Sequence, residues 1–305
     1  MIPPRELAPG LWRLGSYHLP VYLVEGARRA ALVEVGGYGT PALVAAQLAA
    51  TGVRPEEVGL VVLTHAHSDH VAGWPGLLAR FPAARLVLTA GAQGLLAKPA
   101  IRESFHRQAA FTAPLVGQRD GIAPAGDWPE SLPELPAARL LLAAPGQELD
   151  LGGGSLRLMA AAGHDPDGLT LFLPRERALL CSDSCGLVTA GGPGMPLFFV
   201  SLTAYLAQMA ELAALDPAHL LPGHQQTLSG PDVPDYLGLV QGQLARIHTR
   251  VREHCRGGGE AAREEMADWI FARYYHGEMT VYEPRTIRGT CSLLVRRVLE
   301  APALV

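Results

Sequence analysis

Three histidines and an aspartate fall within six consecutive residues of the stretch Leu63–Gly73, which reads LTHAHSDHVAG. The whole chain of 305 residues has only 11 histidines, so this concentration requires a chemical explanation. Neutral imidazole and carboxylate groups are ligands that suit zinc, iron and manganese. The spacing His65-x-His67-x-Asp69-His70 therefore predicts a metal site more than a solvated turn that happens to be rich in histidine.

The residues before this stretch form a nearly continuous apolar run, Val58–Leu63, as expected for a strand buried on both faces. A turn after such a strand presents its side chains at the strand's carboxyl end, where α/β proteins tend to bind ligands. His164, Asp183 and His224 also follow short apolar runs and lie in predicted turns. Each of them alone would be an ordinary turn residue, but together with the opening stretch they are candidate ligands.

The rest of the sequence predicts strands and helices in alternation up to about residue 230, followed by helices alone. Predicted strands cover Val21–Val24, Ala30–Val35, Val58–Leu63, Arg85–Thr89 and His219–Leu221, and residues 138–181 are mostly strand-like. Predicted helices cover Thr40–Thr51, Trp74–Phe81, Ser201–Leu215, Asp235–His254, Glu260–His276 and roughly Thr286–Leu299. This pattern divides the chain into residues 1–230, which contain all the candidate ligands and would form the catalytic domain, and a helical C-terminal extension over residues 231–305.

One segment, Gly91–Pro136, interrupts this alternation with six prolines among loosely spaced apolar residues. It contains the helical pattern KPAIRESFHRQAAF and looks like an insertion between two core strands. Long insertions in compact domains are often lids or binding loops. The segment leaves one strand near the histidine-rich turn and returns to another. We therefore predict that it lies over the edge of the sheets at which His65–His70 lie, here called the metal edge, or that it contacts a partner; a surface decoration without a role is the alternative.

Composition narrows the classes of function. The chain is 49% hydrophobic and 18% charged, so it can bury a large core, and its net charge of −4 with no basic stripe disfavours nucleic acid as a partner. No apolar run reaches the roughly 20 residues of a membrane-spanning helix, and no secretory signal pattern is seen. The four cysteines form no CxxC pair. We expect a soluble cytoplasmic protein with reduced thiols and a small-molecule substrate. The sequence is also compatible with a homodimer.

The stretch THAHSDHVAG resembles the Thr-His-x-His-x-Asp-His signature of the metallo-β-lactamase superfamily. The stretches APGLWRL, ALVEVGG, AAGHDPDG, LLCSDSCG and LDPAHLLPGHQ resemble further motifs of that family and occur in its order. The similarity extends over most of the first 230 residues. It implies an α/β protein with the αββα metallo-β-lactamase sandwich, carrying the inserted segment and the helical C-terminal extension.

The resemblance also implies a role for each candidate ligand. It assigns His65, His67 and His164 to a first metal, Asp69, His70 and His224 to a second metal, and Asp183 to a bridge between them. Asp69 and Asp183 are the candidate catalytic residues, because Asp69 would orient a hydroxide and Asp183 would keep the two ions close. The cofactors implied are two divalent transition-metal ions, with zinc expected first and iron or manganese as alternatives.

Two positions depart from the family pattern. Glu34 stands where many members have an aspartate that supports the site from behind the ligands. Asp165 and Asp167 follow His164 where the family usually has Thr and Gly, and they are either a polar turn or a contact to the site.

The function implied is a metal-dependent hydrolase in which a metal-activated hydroxide attacks a small thioester, ester or lactone. The alternatives are an iron-dependent persulfide dioxygenase, or a regulatory or binding protein that keeps the fold without useful turnover. A flavin-linked diiron oxygen reductase is less favoured, because such proteins usually have Glu at the second histidine position of the signature, where this chain has His67, and because the sequence shows no flavodoxin-like segment.

Some histidine and arginine residues outside the motifs are further candidates for the site. His106 lies in the insertion and is a candidate to approach the site from above. Four arginines of the predicted C-terminal helices are either a solvated helix face or contacts for an anionic substrate; they are Arg246, Arg250, Arg252 and Arg256.

Overall fold

The computed structural model describes residues 2–122, 128–187, 192 and 194–302. Two mixed β-sheets pack face to face, with helices on both outer faces, so the predicted αββα sandwich is confirmed. Residues 123–127 of the predicted insertion lie outside the described residues.

The strands and helices largely follow the sequence prediction. The strands are β1 (Arg5–Ala8), β2 (Leu11–Gly15), β3 (Pro20–Val24), β4 (Ala30–Val33), β5 (Val58–Val62), β6 (Arg85–Leu88), β7 (Leu140–Leu142), β8 (Glu148–Asp150), β9 (Ser155–Ala160), β10 (Leu169–Leu173), β11 (Ala178–Ser182), β12 (His219–Pro222) and β13 (Leu228–Ser229). The α-helices are α1 (Thr40–Leu48), α2 (Trp74–Arg80), α3 (Ala90–Leu96), α4 (Pro99–Arg119), α5 (Leu202–Ala214), α6 (Asp232–His254), α7 (Glu260–Tyr274) and α8 (Pro284–Glu300).

The first sheet has the strand order β1-β2-β3-β4-β5-β6-β7, and the second has the order β13-β12-β11-β10-β9-β8. In the first sheet β4 to β7 are parallel neighbours, whereas β1 to β4 pair antiparallel. In the second sheet only β11 and β12 are parallel. Parallel neighbours end at the same edge of a sheet. The loops that follow β4 and β5 therefore lie side by side, and so do the loops that follow β11 and β12.

Both faces of the central strands are apolar, as the continuous apolar runs predicted. In β3, Tyr22 and Val24 face the second sheet, whereas Val21 and Leu23 pack with the helices on the outer face. This is the two-residue alternation of a β-strand, with apolar residues on both sides. The paired sheets therefore form a rigid frame from which the loops at their edges extend.

The helices of the C-terminal segment pack as one layer on the outer face of the second sheet. Residues of α5, α6, α7 and α8 share a single buried cluster with Phe172 and Leu179 of that sheet. Helix α5 begins as predicted, with Ser201 as its N-cap, whose Oγ accepts a hydrogen bond from Ala204 N at 3.2 Å. None of the helices in the described residues is long and apolar enough to cross a membrane.

The segment predicted as an insertion is the connection between the parallel strands β6 and β7, and it contains α3 and α4. Helix α4 runs beside the 3-10 turn Ser68–His70, where Ser68 Oγ donates a hydrogen bond to Gln108 Oε1 at 3.1 Å. The prediction that this segment lies over the metal edge is confirmed for α4. Its action as a lid remains a prediction.

Candidate metal centre

All seven predicted ligands lie at one end of the sandwich. The loop after β5 carries His65, His67, Asp69 and His70, the β9–β10 turn carries His164, and the loops after β11 and β12 carry Asp183 and His224. The first sheet thus contributes four of these side chains, and the second contributes three. They form two groups, each with potential ligand atoms within 4.8 Å of one another: His65, His67, His164 and Asp183 in the first group, and Asp69, His70 and His224 in the second.

In the first group three imidazoles point ring nitrogens at one another. His67 Nδ1 lies 3.0 Å from His65 Nε2 and 3.1 Å from His164 Nε2. The Nε2 atoms of His65 and His164 are 3.3 Å apart. Asp183 Oδ2 completes the group at 3.6 Å from His164 Nε2 and 3.9 Å from His65 Nε2.

In the second group, too, ring nitrogens face one another with a carboxylate oxygen beside them. His70 Nε2 and His224 Nε2 are 3.1 Å apart. Asp69 Oδ2 lies 3.5 Å from His224 Nε2 and 3.9 Å from His70 Nε2. The carboxylate of Asp183 faces this group too, with Oδ1 at 3.4 Å from His224 Nε2 and Oδ2 at 3.6 Å from His70 Nε2. Asp183 is therefore placed between the two groups.

The hydrogen bonds behind the histidines decide what the facing nitrogens can do. In four of the five histidines the outward Nδ1 faces an oxygen. The partners are Glu34 Oε2 for His70 (2.9 Å), Leu197 O for His164 (2.8 Å), His18 O for His224 (2.9 Å), and the hydroxyls of Thr64 (3.1 Å) and Ser182 (3.3 Å) for His65. If Nδ1 donates its hydrogen outward, a neutral ring has only a lone pair at Nε2. Lone pairs facing one another at this range repel, and a cation between them removes the repulsion. Such outward anchoring is typical of metal-binding histidines, so the residues fit metal ions.

The protonation states favoured by burial suit this fit. Burial lowers the pKa of His65 and His67, and it lowers the pKa of His164 to about 4, so these rings are neutral near pH 7. Burial raises the pKa of the Asp183 carboxyl, but His224 and His70 outweigh burial and hold it well below its ordinary value. Neutral imidazole and ionised carboxylate are the forms that bind a divalent metal.

The second group carries a surplus of negative charge. Burial alone would lower the pKa of His70, but Glu34, Asp183 and Asp69 outweigh it and raise that pKa well above its ordinary value. The carboxylates therefore attract either extra protons or metal cations to this place. A bound cation would replace those protons and compensate the negative charge of the carboxylates.

Glu34 lies behind the second group. It occupies the supporting position at which many family members have an aspartate. Its Oε2 pairs with His70 Nδ1, and its Oε1 accepts a hydrogen bond from Thr64 Oγ1 at 2.9 Å. Its backbone φ is +76°, in the left-handed region. Ser182 (φ +48°) and Gln225 (φ +59°) share that region and directly flank Asp183 and His224. Non-glycine residues in this region are strained, and such strain clusters at functional sites.

Three residues at the site were not predicted from the sequence. His18 accepts the His224 hydrogen bond with its backbone oxygen, and its own ring lies between Asp120 Oδ1 (2.6 Å) and Glu278 Oε2 (2.7 Å). Tyr282 places its hydroxyl 3.2 Å from His224 Nδ1. Phe199 packs its ring 4.7 Å from that of His164, centroid to centroid. These residues come from parts of the chain distant from the motifs, so no local pattern marked them.

Gly223 also belongs to the site, because a Cβ there would lie 2.7 Å from His70 Cε1 and 2.8 Å from Asp183 Oδ1. We expect Gly223→Ala to displace one ligand of each group and to lose bound metal, measured by elemental analysis of the purified protein. Gly238→Ala is the control, because Gly238 lies in α6 and a methyl group at that position would meet no atom within 4 Å apart from its chain neighbours and the backbone of its own helix. That variant should keep its metal and gain up to about 1 kcal/mol of stability from helix propensity. Equal metal content in both variants would contradict the expectation.

Other candidates from the sequence lie outside the two groups. Asp165 shapes its own turn, since its Oδ1 accepts a hydrogen bond from Asp167 N at 2.8 Å. His106 Nδ1 is hydrogen-bonded to the Tyr38 hydroxyl at 2.7 Å. The cysteines Cys181 and Cys185 are buried with free thiols in the apolar cluster of the second sheet.

A cavity of about 310 Å³ opens onto both groups. Its walls come from α4, from the segment around Leu197 and Phe199, and from the C-terminal residues between Met279 and Leu293. Pockets of this size and apolar character commonly hold small molecules. None of the four candidate arginines of the C-terminal helices lines the cavity; Arg250 stacks on Trp269 with its guanidinium 4.7 Å from the ring centroid.

Comparison with known proteins agrees with this arrangement. Over 207 residues the chain is 34% identical to a hydroxyacylglutathione hydrolase of Acidiphilium cryptum (strain JF-5), an alignment that covers 65% of this chain and 64% of the relative. The chain thus spans somewhat less than two thirds of that relative's length.

Solved structures resemble the whole chain. A metallo-beta-lactamase family protein from Thermus thermophilus superposes with a TM-score of 0.66 at 20% identity, covering 97% of this chain and 95% of that one. An archaeal metallo-beta-lactamase superfamily protein from Sulfolobus tokodaii superposes with a TM-score of 0.62 at 16% identity, covering 96% and 99%. At these identities the likeness concerns the fold. The family profile described as "Metallo-beta-lactamase superfamily" matches residues 19–224, which include all seven candidate ligands. This chain belongs to the metallo-beta-lactamase superfamily.

Proposed function

We propose that the protein is a dinuclear metallo-hydrolase that cleaves a small thioester, ester or lactone. The observation that carries this proposal is the position of Asp183, whose two carboxylate oxygens face ring nitrogens of both ligand groups at 3.4–3.6 Å. A carboxylate so placed suits two ions that share one site. The cavity beside it leaves room for a small molecule.

Two divalent ions held by these residues would lower the pKa of a shared water towards neutrality and polarise a carbonyl oxygen. The residues of the chain then have separate tasks. Asp183 would offset the mutual repulsion of the ions. Asp69, at 16% side-chain exposure beside the cavity, is placed to accept a hydrogen bond and would orient the attacking group. Tyr282 lines the same cavity next to His224 and can donate its hydroxyl proton to a bound oxygen.

The relative named hydroxyacylglutathione hydrolase supports thioester hydrolysis as the first reaction to test. Zinc is the proposed metal, with iron or manganese as alternatives, because histidine and carboxylate ligands accept all three. A small-molecule substrate, a cytoplasmic location and the division into residues 1–230 and 231–305 belong to the same proposal.

Metal content and turnover test the proposal together. Protein purified without chelator should carry close to two transition-metal ions per chain by elemental analysis, and it should hydrolyse members of a broad panel of thioesters, esters and lactones. Folded protein with almost no metal would contradict the dinuclear site. A single iron together with oxygen consumption on a persulfide would favour the dioxygenase alternative, and two metals without any turnover would favour a regulatory or binding role.

A further inference from the structure

The walls of the cavity beside the two ligand groups are largely apolar. Helix α4 contributes Phe105, the segment before α5 contributes Leu197 and Phe199, and the C-terminal residues contribute Met279 and Ile287. Pockets with such walls gain binding energy mainly from apolar surface removed from water. An apolar substituent on the substrate therefore has a place to lie.

Most polar side chains of the wall already have partners within the protein. Ser68 Oγ donates to Gln108 Oε1 at 3.1 Å, and Thr290 Oγ1 donates to the backbone oxygen of Thr286 at 3.1 Å. Thr286 Oγ1 donates to Glu283 Oε2, also at 3.1 Å. These groups bond to one another and do not form an array directed at a polar ligand.

The charges around the cavity are unfavourable for an anion. Among its described lining residues there is no Lys or Arg, and the sequence of the segments outside the description contains neither residue. Asp69, Asp183 and the Glu34 behind them would offset three of the four positive charges of two divalent ions, and Glu283 brings a fourth negative charge to the wall. Glu283 is a partly buried carboxylate on the wall, and the Thr286 hydroxyl is the one side-chain hydrogen-bond partner that its carboxylate has among the described residues. An anionic group passing it would be repelled, whereas a neutral one would not.

We propose that this cavity selects substrates with a neutral, apolar substituent, and that Glu283 is a specificity-determining residue that disfavours anionic carriers such as glutathione. This inference rests on the proposed hydrolase function and narrows its substrate class. The preferred substrates are esters, lactones or thioesters whose acyl chain and leaving group are both uncharged. Hydrolysis adds water across the acyl bond. An ester or thioester then releases a carboxylic acid and a neutral alcohol or thiol, and a lactone opens to one hydroxy acid, so no further reactant is needed.

Two thioethers with the same alkyl chain test binding without turnover. S-hexyl-N-acetylcysteamine is neutral, whereas S-hexylglutathione carries two carboxylates and one ammonium and is a net anion. With the metal-loaded protein, calorimetric titration should give at least about tenfold tighter binding of the neutral thioether. Glu283→Gln keeps an amide oxygen for Thr286 but removes the charge, and it should tighten S-hexylglutathione binding about threefold to tenfold with little effect on the neutral thioether.

The matched control is Glu253→Gln, which removes the same charge from an exposed position of α6 that does not line the cavity. It should leave both affinities unchanged. Equal or tighter binding of S-hexylglutathione by the unsubstituted protein, absence of binding by the neutral thioether, or equal effects of the two substitutions would overturn the inference.

A turnover assay separates this inference from the proposed function. S-hexanoyl-N-acetylcysteamine should show a higher kcat/KM than S-hexanoylglutathione, and Glu283→Gln should narrow the difference. If neither thioester nor any ester is hydrolysed, the hydrolase proposal fails while the binding experiment still decides the inference. If S-hexanoylglutathione is the better substrate and Glu283→Gln does not alter the ratio, the hydrolase proposal stands and the inference is wrong.

Discussion

Asp183→Asn is expected to lose metal and to lower hydrolytic turnover by about a hundredfold or more, while the fold persists. The carboxylate lies between the two ligand groups, with its oxygens 3.4–3.6 Å from ring nitrogens of both. The amide has the same size but lacks the charge, so two cations would repel each other with less compensation. The sandwich core is built from apolar residues of both sheets and does not include this side chain. Metal content, circular dichroism and ester or thioester turnover measure the three expectations.

His106→Ala is the control for that experiment. Its ring is bonded to the Tyr38 hydroxyl and lies in neither ligand group, so the variant should keep its metal and alter substrate preference at most. If Asp183→Asn retained two metal ions and near wild-type turnover, the bridge would be wrongly assigned, and the roles of His164 and His224 would need revision with it.

Glu34→Gln is expected to weaken metal binding by about tenfold to a hundredfold, the usual cost of removing a charged partner behind a metal-binding histidine. Its carboxylate pairs with His70 Nδ1 at 2.9 Å and holds the opposite nitrogen towards His224. Without the charge, the His70 ring is a weaker donor of electrons to a cation, and its orientation is less strongly fixed. Competition with a chromogenic chelator measures the affinity of each ion, and the ion bound by Asp69, His70 and His224 should be the one that weakens.

Thr64→Val provides the comparison. It removes the second hydrogen bond of Glu34, from Thr64 Oγ1, and the 3.1 Å contact of that oxygen with His65 Nδ1, but it leaves the pair of Glu34 with His70 intact. The affinity of the ion at the second group should therefore fall less than in Glu34→Gln. An equal loss in both variants would mean that the position of the loop, and not the charge on Glu34, controls the second group.

The sandwich was predictable because its signals are local. Strand β5 is a continuous apolar run that ends at the histidine-rich turn, and helix α5 begins at a serine that caps it. Motif spacing likewise brought His65 to His70 together, since they lie in one turn. The family resemblance supplied the remainder of the candidate ligands, which are separated in the sequence by long stretches.

The rest of the site could not be predicted, because it depends on contacts between distant segments. His18 supports His224 through a backbone oxygen, which no side-chain pattern reports. Tyr282 and Glu283 reach the cavity only because the C-terminal helices fold back over the second sheet. The C-terminal arginines illustrate the reverse case, since their charge suggested a role at the site but the described cavity wall contains none of them.

The division of the candidate ligands between the two sheets has a consequence for the lifetime of the protein. An ion held by His67 and His164 would join positions 97 residues apart, one from each layer, and so would act as a reversible cross-link across the sandwich. Because metal would bind the folded chain in preference to the unfolded one, resistance to unfolding should grow with free metal concentration, by about 2.7 kcal/mol at a hundred times the dissociation constant. Metal supply in the cell would then govern turnover by proteases as well as catalysis, so abundance and activity would rise and fall together.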